Sequence, residues 1–76
     1  MKERDHQFAI CVRNDENPAS LELRKIYEVL PDPKAIKRNL VRVIDESGED
    51  YLYPAGFFVP IRLPQATSRA ILRTVR

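Results

Sequence analysis

Four carboxylates flank a Ser47-Gly48 dipeptide in the stretch "IDESGEDY": Asp45, Glu46, Glu49 and Asp50. Carboxylate oxygens are the hard ligands that Ca²⁺ and Mg²⁺ prefer, and like charges placed opposite one another destabilise a sheet. The spacing nevertheless lacks the pattern of a calcium-binding loop, so we predict no metal site. Solvation and nearby arginines explain the cluster more simply. We expect an acidic patch that faces either the protein itself or a partner.

The remaining residues of the sequence give little indication of a catalytic site. His6 is the only histidine and lies close to the start of the sequence, and Cys11 is the only cysteine. One cysteine excludes a disulfide within the chain, and its apolar neighbours in "FAICV" predict a buried side chain rather than a reactive thiol. The sequence has no nucleophile motif, glycine-rich phosphate loop or cofactor fingerprint. We expect no catalytic residue, no cofactor and no small-molecule substrate.

Aromatic residues and a proline follow the acidic stretch in "YLYPAGFF". An amphipathic partner-binding patch is predicted from Arg42, Tyr51, Tyr53, Pro54 and Phe57. In this interpretation the tyrosines face outward and Arg42 lies over a ring as a cation–π contact. The alternative is that the aromatics complete a small core. Hydrophobicity favours burial of Leu52 and of the valines before the turn, whereas a barrel would turn Tyr53 inward. The two arguments disagree, so the sequence does not decide which face of the strand that contains Tyr51 and Tyr53 is buried.

The sequence is acidic in its body and basic towards its end. Residues 1–61 carry 9 Lys or Arg and 11 Asp or Glu, a net charge of −2, while residues 62–76 carry four Arg and no acid, a net charge of +4. Arg69, Arg73 and Arg76 have the spacing of one helical face, and phosphates of RNA or DNA would relieve their repulsion. The alternatives are a solvated face, or docking on the acidic patch of the same or a neighbouring chain.

Five strands and a final helix are predicted to position these residues. β-compatible runs lie at residues 8–12, 24–30, 40–45, 50–54 and 57–61. Pro31 and Pro33 end the second run and leave no room before them for a stable helix, and the short segment "KAIKRN" allows at most one helical turn. Ser47-Gly48 predicts a two-residue hairpin turn that pairs Asp45 with Asp50. From Gln65 the apolar spacing becomes helical.

A length of 76 residues, with 43% apolar and 32% charged side chains, indicates a single globular domain. We expect a flexible start at 1–7, a barrel at 8–62 and a helix at 65–76. The sequence contains no run of about 18 apolar residues, the length needed to span a bilayer. The polar start "MKERDHQ" lacks the apolar stretch of a signal peptide. These features predict a cytoplasmic protein.

The order of predicted elements resembles the Src-homology-three-like small barrel. The closest part is "YLYPAGFFVPI", in which Pro54 and Phe57 match the proline and the aromatic around the last tight turn of that fold. The resemblance implies an all-β, five-stranded small barrel, here with a C-terminal α-helix. Peptide-binding members use a tryptophan and an acidic long loop; this sequence has no Trp and only Asp15 and Glu16 there. The resemblance therefore implies the architecture rather than recognition of proline-rich peptides.

The sequence also resembles a group of short uncharacterised bacterial proteins through "ASLELRKIYEVLPD", "RVIDESGEDYLYP" and "FFVPIRLP". That resemblance implies a small bacterial cytosolic protein and supplies no catalytic or binding residues. The function we expect is a non-catalytic protein-interaction module that binds a protein partner or a second copy of itself. The alternative is nucleic-acid binding through the C-terminal arginines. No membrane partner is expected.

Overall fold

The computed structural model of the chain describes residues 7–64 together with Thr67 and Ala70. Its strands are β1 (Gln7–Cys11), β2 (Ile26–Leu30), β3 (Leu40–Ile44), β4 (Asp50–Pro54) and β5 (Phe58–Ile61). A short helix, α1 (Pro33–Lys37), lies between β2 and β3, and a single 3₁₀ turn (Ala55–Phe57) joins β4 to β5. All five predicted strands are therefore present, with ends that differ by one or two residues.

The strands form one antiparallel sheet in the order β4-β3-β2-β1-β5. The all-β class and the five strands are confirmed. Within residues 7–64, β4 and β5 are the two edges of this sheet and do not pair with each other. The expected closed barrel is therefore absent from this part of the chain.

Helix α1 is fixed by local chemistry at both ends. The Asp32 carboxylate accepts the backbone N–H of Ala35 at 3.1 Å, which caps the first turn, and Pro33 occupies the first helical position, where no N–H is needed. Asn39 follows the helix with φ 62°, a left-handed conformation that Asn adopts more readily than most residues. The carbonyl of Asn39 accepts the N–H of Ala55 at 3.0 Å. The single helical turn predicted from "KAIKRN" is thus fixed by hydrogen bonds at its start and just after its end.

The core lies on one face of the sheet and draws on every strand. Its buried members are Ala9, Cys11, Leu21, Tyr27, Val43, Tyr53, Phe57 and Phe58. The Phe58 ring packs edge-on against Tyr27 and Tyr53, with centroids 6.3 and 6.2 Å apart, an arrangement that adds to the free energy of burial. Cys11 is fully buried, as its apolar neighbours predict.

Residues 12–25 form a long loop that packs on the core. The N–H groups of Val12 and Arg13 donate to the Phe57 carbonyl at 2.7 and 3.3 Å. At the far end of the loop, the Arg24 N–H donates to the Cys11 carbonyl at 2.6 Å. Between these anchors Leu21 is completely buried. The loop therefore supplies a core side chain that the strand pattern does not predict.

The β3–β4 hairpin corrects the predicted register by one residue. Asp50 pairs with Ile44 rather than with Asp45, and the Asp45 N–H donates to the Glu49 carbonyl at 3.1 Å. The Gly48 N–H donates to the Asp45 carbonyl at 2.9 Å, and Gly48 has φ 86°. This is a turn closed by a left-handed glycine, which inserts one residue more than a two-residue hairpin turn. The predicted pairing of Asp45 with Asp50 is wrong for this reason.

The corrected register settles which face of β4 is buried. Tyr53 pairs with Val41 and Leu52 pairs with Arg42, so the valines and Tyr53 lie on the same face of the hairpin. Tyr53 is 6% exposed and Leu52 is 43% exposed. Tyr53 therefore lies inward, as the barrel resemblance implies, and Leu52 lies outward, against the expectation from hydrophobicity.

The predicted C-terminal helix lies mostly outside the described residues. Of the expected flexible start at 1–7, only Gln7 is described, and it is the first residue of β1. Thr67 and Ala70 have helical backbone conformation. Within the described part of the chain, no helix has the length and apolar character needed to cross a membrane.

Candidate functional site

Asp45 is a buried carboxylate at the hairpin turn. It is 5% exposed and accepts the Ser47 N–H at 2.9 Å, the Ser47 hydroxyl at 2.6 Å and the Tyr53 hydroxyl at 2.5 Å. The bond to the N–H two residues later is the turn-stabilising contact typical of Asp. Three donors replace the water that burial removes, so Asp45 holds the turn closed.

The pKa values of Asp45 and Tyr53 follow from their burial and from the hydrogen bonds that Asp45 accepts. Burial alone raises the pKa of the Asp45 carboxyl, but the hydrogen bonds from Ser47 and Tyr53 outweigh it and the net shift is downward. Burial, followed by the bond to Asp45, raises the pKa of Tyr53 to about 12. Near neutral pH Asp45 is therefore charged and Tyr53 is protonated, which is the combination that the hydrogen bond requires.

Glu46 joins the hairpin to the long loop. Its carboxylate accepts the Tyr27 hydroxyl at 2.5 Å and forms an ion pair with Lys25 at 2.6 Å, and its N–H donates to the Ser20 carbonyl at 3.0 Å. The hydrogen bond from Lys25, and then that from Tyr27, lower the pKa of Glu46. Burial and the Glu46 hydrogen bond raise the pKa of Tyr27. The Tyr27 oxygen also accepts the Glu22 N–H at 2.8 Å.

The other two carboxylates lie on the surface. Arg42 donates to Asp50 at 2.9 Å and to Asp32 at 2.8 Å, so its guanidinium joins β4 to the cap of α1 instead of covering a tyrosine ring. Glu49 accepts the Tyr51 hydroxyl at 3.2 Å. All four carboxylates of the predicted acidic patch thus bind groups of the same chain, but only Asp45 is buried, whereas Glu46, Glu49 and Asp50 are exposed. Within the described residues no cluster of three His, Cys, Asp or Glu is placed to hold a metal ion.

These contacts predict a loss of stability in acid. The pKa values of Asp32, Asp45 and Glu46 are all lowered on folding, so their contribution is complete above the unfolded values near pH 4 and is lost as pH falls through the folded values. We expect the urea midpoint to be level at pH 6–8 and to fall below about pH 4. Asp45→Asn should show a shallower fall. Parallel pH profiles for the two proteins would contradict this assignment.

The predicted aromatic patch is divided between core and surface. Tyr53 and Phe57 are 6% and 7% exposed and belong to the core, so they offer no surface contact. Tyr51 is 49% exposed, and Pro54 is also exposed. The Phe57 ring has the Arg13 guanidinium carbon 5.7 Å from its centroid. The reason for the division is the hairpin register, which places Tyr53 opposite Val41.

Leu52 is a surface residue that the sequence pattern misses. Together with Tyr51 and Pro54 it forms an exposed surface on β4, which we call the β4 edge surface. Among the described strands β4 pairs only with β3. Its outer side therefore presents backbone donors and acceptors beside apolar side chains. No residue type in the sequence identifies Leu52 as exposed, because Gly48 is compatible with a turn of either length and the turn length decides the face on which Leu52 lies.

Arg69, Arg73 and Arg76, the predicted phosphate-binding residues, lie outside the described residues. No family model, curated protein or solved structure matches the chain. The candidate site is therefore defined by its geometry: an unpaired strand edge with exposed Tyr51 and Leu52, supported by a hairpin that Asp45 and Glu46 fix to the core.

Proposed function

We propose that the protein is a non-catalytic protein-interaction module of the bacterial cytosol, and that a partner adds an extended segment to the β4 edge surface. One observation carries the proposal. Two large side chains, Tyr51 and Leu52, are about half exposed at consecutive positions of a strand whose outer edge is unpaired among the described residues. An unpaired edge with apolar side chains is a template for strand addition.

The two edges of the sheet differ in their ability to accept a strand. Pro60 interrupts β5 and removes a backbone donor from it, which is a common way to protect an edge. In β4 the only proline is Pro54, the last residue of the strand. Tyr51 and Leu52 lie on opposite faces because neighbours in a strand alternate. An added segment therefore contacts an apolar group on each face of the sheet.

The charges at the start of β4 indicate the chemistry of the partner segment. Asp50 is paired with Arg42, whereas Glu49 has no cation within ion-pair distance among the described residues and accepts only the Tyr51 hydroxyl. A segment with alternating apolar side chains and a Lys or Arg opposite Glu49 fits this surface. Complementary charge of this kind accelerates encounter and fixes register more than it adds affinity.

We also propose that the sheet is a member of the Src-homology-three-like class. The support is its connectivity: a long loop between β1 and β2, a short connection to β3, a tight hairpin to β4 and one 3₁₀ turn before β5. The bonds from Val12 and Arg13 to the Phe57 carbonyl bring the long loop against that 3₁₀ turn. These contacts favour an open, barrel-like sheet in which the long loop packs beside the last turn.

Leu52→Lys is expected to weaken capture of the protein partner by about 10-fold or more, since burial of one leucine contributes about 1.5–3 kcal/mol. The measurement is quantitative affinity capture with the tagged protein, read by mass spectrometry. Val59→Lys is the matched control, because Val59 is 49% exposed on the opposite edge. Equal capture by both variants, with unchanged melting temperatures, would contradict the assignment to β4.

A further inference from the structure

We propose that α1 carries a second binding surface, separate from β4, for the phosphate backbone of nucleic acid. Its members are Lys34, Lys37 and Arg38, which we call the basic turn surface. All three are exposed, and they follow one another at spacings of three and one residues at the end of a helix that closes with Arg38. Positions three and four apart share one side of a helix, so Lys34 is a neighbour of both Lys37 and Arg38.

Three of the described cations have an acidic partner, whereas the cations of the basic turn surface, like Arg24 and Arg62, have none among residues 7–64. Arg13 pairs with Asp15, Lys25 with Glu46, and Arg42 with Asp32 and Asp50. No carboxylate of residues 7–64 lies within ion-pair distance of the three α1 cations. Like charges at this spacing destabilise a helix by a few tenths of a kcal/mol, a cost that a bound polyanion removes.

The backbone that carries the basic turn surface is held in place before any ligand binds. Asp32 caps the first turn, Ala35 is 3% exposed and anchors the helix on the sheet, and the Asn39 carbonyl is bonded to Ala55. A fixed backbone reduces the conformational entropy that binding removes. Only the Lys and Arg side chains have to be ordered by the ligand.

Two further exposed residues suit a nucleic-acid strand rather than a free anion. Ile36 is 66% exposed, the highest value among the large apolar side chains of the described residues, and offers an apolar contact to a sugar or base. The exposed Asn39 amide has no hydrogen-bond partner among residues 7–64, and amides are frequent donors to phosphate and sugar oxygens. No exposed aromatic accompanies them on α1, so we infer binding of low sequence specificity.

The number of phosphate contacts determines how strongly the binding constant should depend on salt concentration. Three phosphate contacts to a single strand give a slope of about −2 for log K against log salt concentration. Between 50 and 200 mM KCl these contacts alone account for about a 20-fold loss of affinity. Binding of fluorescein-labelled poly(U) and of a labelled DNA duplex, followed by fluorescence anisotropy at several KCl concentrations, measures this slope.

The decisive variant replaces the basic turn surface by glutamine: Lys34→Gln, Lys37→Gln and Arg38→Gln together. We expect this variant to lose most of the affinity and to reduce the salt slope by about 2. The matched control removes the same charge from the C-terminal residues: Arg69→Gln, Arg73→Gln and Arg76→Gln. Circular dichroism and thermal melting establish that both variants keep the wild-type fold.

Three outcomes would overturn the proposal. The first is that the C-terminal variant loses binding while the α1 variant keeps it, which assigns the phosphate contacts to the C-terminal arginines. The second is that neither nucleic acid binds at 50 mM KCl. The third is that vesicles of phosphatidylserine and phosphatidylcholine bind instead and that Ile36→Ser abolishes this, which makes the surface a membrane contact. The Leu52→Ser variant should bind poly(U) normally, because it leaves the charge unchanged and β4 plays no part in this surface.

Discussion

Asp45→Ala is expected to lower the free energy of unfolding by about 3 kcal/mol, the loss associated with an unsatisfied buried polar group and charged hydrogen bonds. The substitution removes the acceptor of three hydrogen bonds and leaves the buried Tyr53 hydroxyl without its partner. Urea denaturation followed by tyrosine fluorescence and circular dichroism measures the change. For a domain of this size a loss of 3 kcal/mol is a large part of total stability.

Asp50→Ala is the matched control in the same hairpin. Its carboxylate side chain is 45% exposed and pairs with Arg42, and exposed ion pairs contribute little. We expect a clearly smaller loss than for Asp45→Ala. If the two variants were equally destabilised, the hairpin would depend on its total charge rather than on the buried Asp45 contacts.

Leu21→Ala is the second substitution with a large expected effect. Leu21 lies in the long loop but is completely buried, and its backbone is fixed by bonds from its N–H to the Asn17 carbonyl and from the Asn14 amide to its own carbonyl. Loss of a buried leucine costs about 2–5 kcal/mol, depending on how far the cavity collapses. Urea midpoints at pH 7 provide the measurement.

Leu23→Ala tests the same chemistry two residues away. Leu23 is 52% exposed, so its truncation should change stability by no more than about 0.5 kcal/mol. An equally small effect of Leu21→Ala would mean that the loop is detached from the core in solution. It would also remove the support for the contact between loop and 3₁₀ turn.

The strands themselves were predictable because each is dense in β-branched or aromatic residues and is bounded by loop chemistry. "LVRVI" and "DYLYP" are β3 and β4, and β2 ends immediately before Pro31. The 3₁₀ turn after Pro54 was anticipated through the resemblance of "YLYPAGFFVPI" to the end of a small barrel. These signals are local, so a single sequence is sufficient to detect them.

The predictions that were wrong or missing concern the hairpin register and the burial of single side chains, which depend on turn geometry and on contacts between distant residues. Gly48 is compatible with both a two-residue turn and the longer one that the structure contains, and a shift of one residue moves every side chain to the other face. Residue type alone also gives no sign that Asp45 is buried, because its partner Tyr53 lies across the hairpin. Burial of Leu21 depends on how the long loop folds back.

The candidate site likewise contains some residues that the sequence predicted correctly and others that it did not. Tyr51 and Pro54 were predicted as partner-binding residues and are exposed, whereas Tyr53 and Phe57 belong to the core. Leu52 was not in the predicted patch, because its exposure follows from the hairpin register. The position of β4 at the edge of the sheet follows from the order of strands, which neither the expected barrel nor the spacing of apolar residues provides.

Hydrogen–deuterium exchange of the protein with and without its captured partner tests strand addition at β4 most directly. We expect slower exchange at backbone amides of β4 on binding, with no change in β5, and loss of that protection in Leu52→Lys. Strand addition engages backbone N–H groups, so contacts made by side chains alone would leave those amides unchanged. Protection confined to β5, the long loop or α1, with β4 unaffected, would contradict the proposed function.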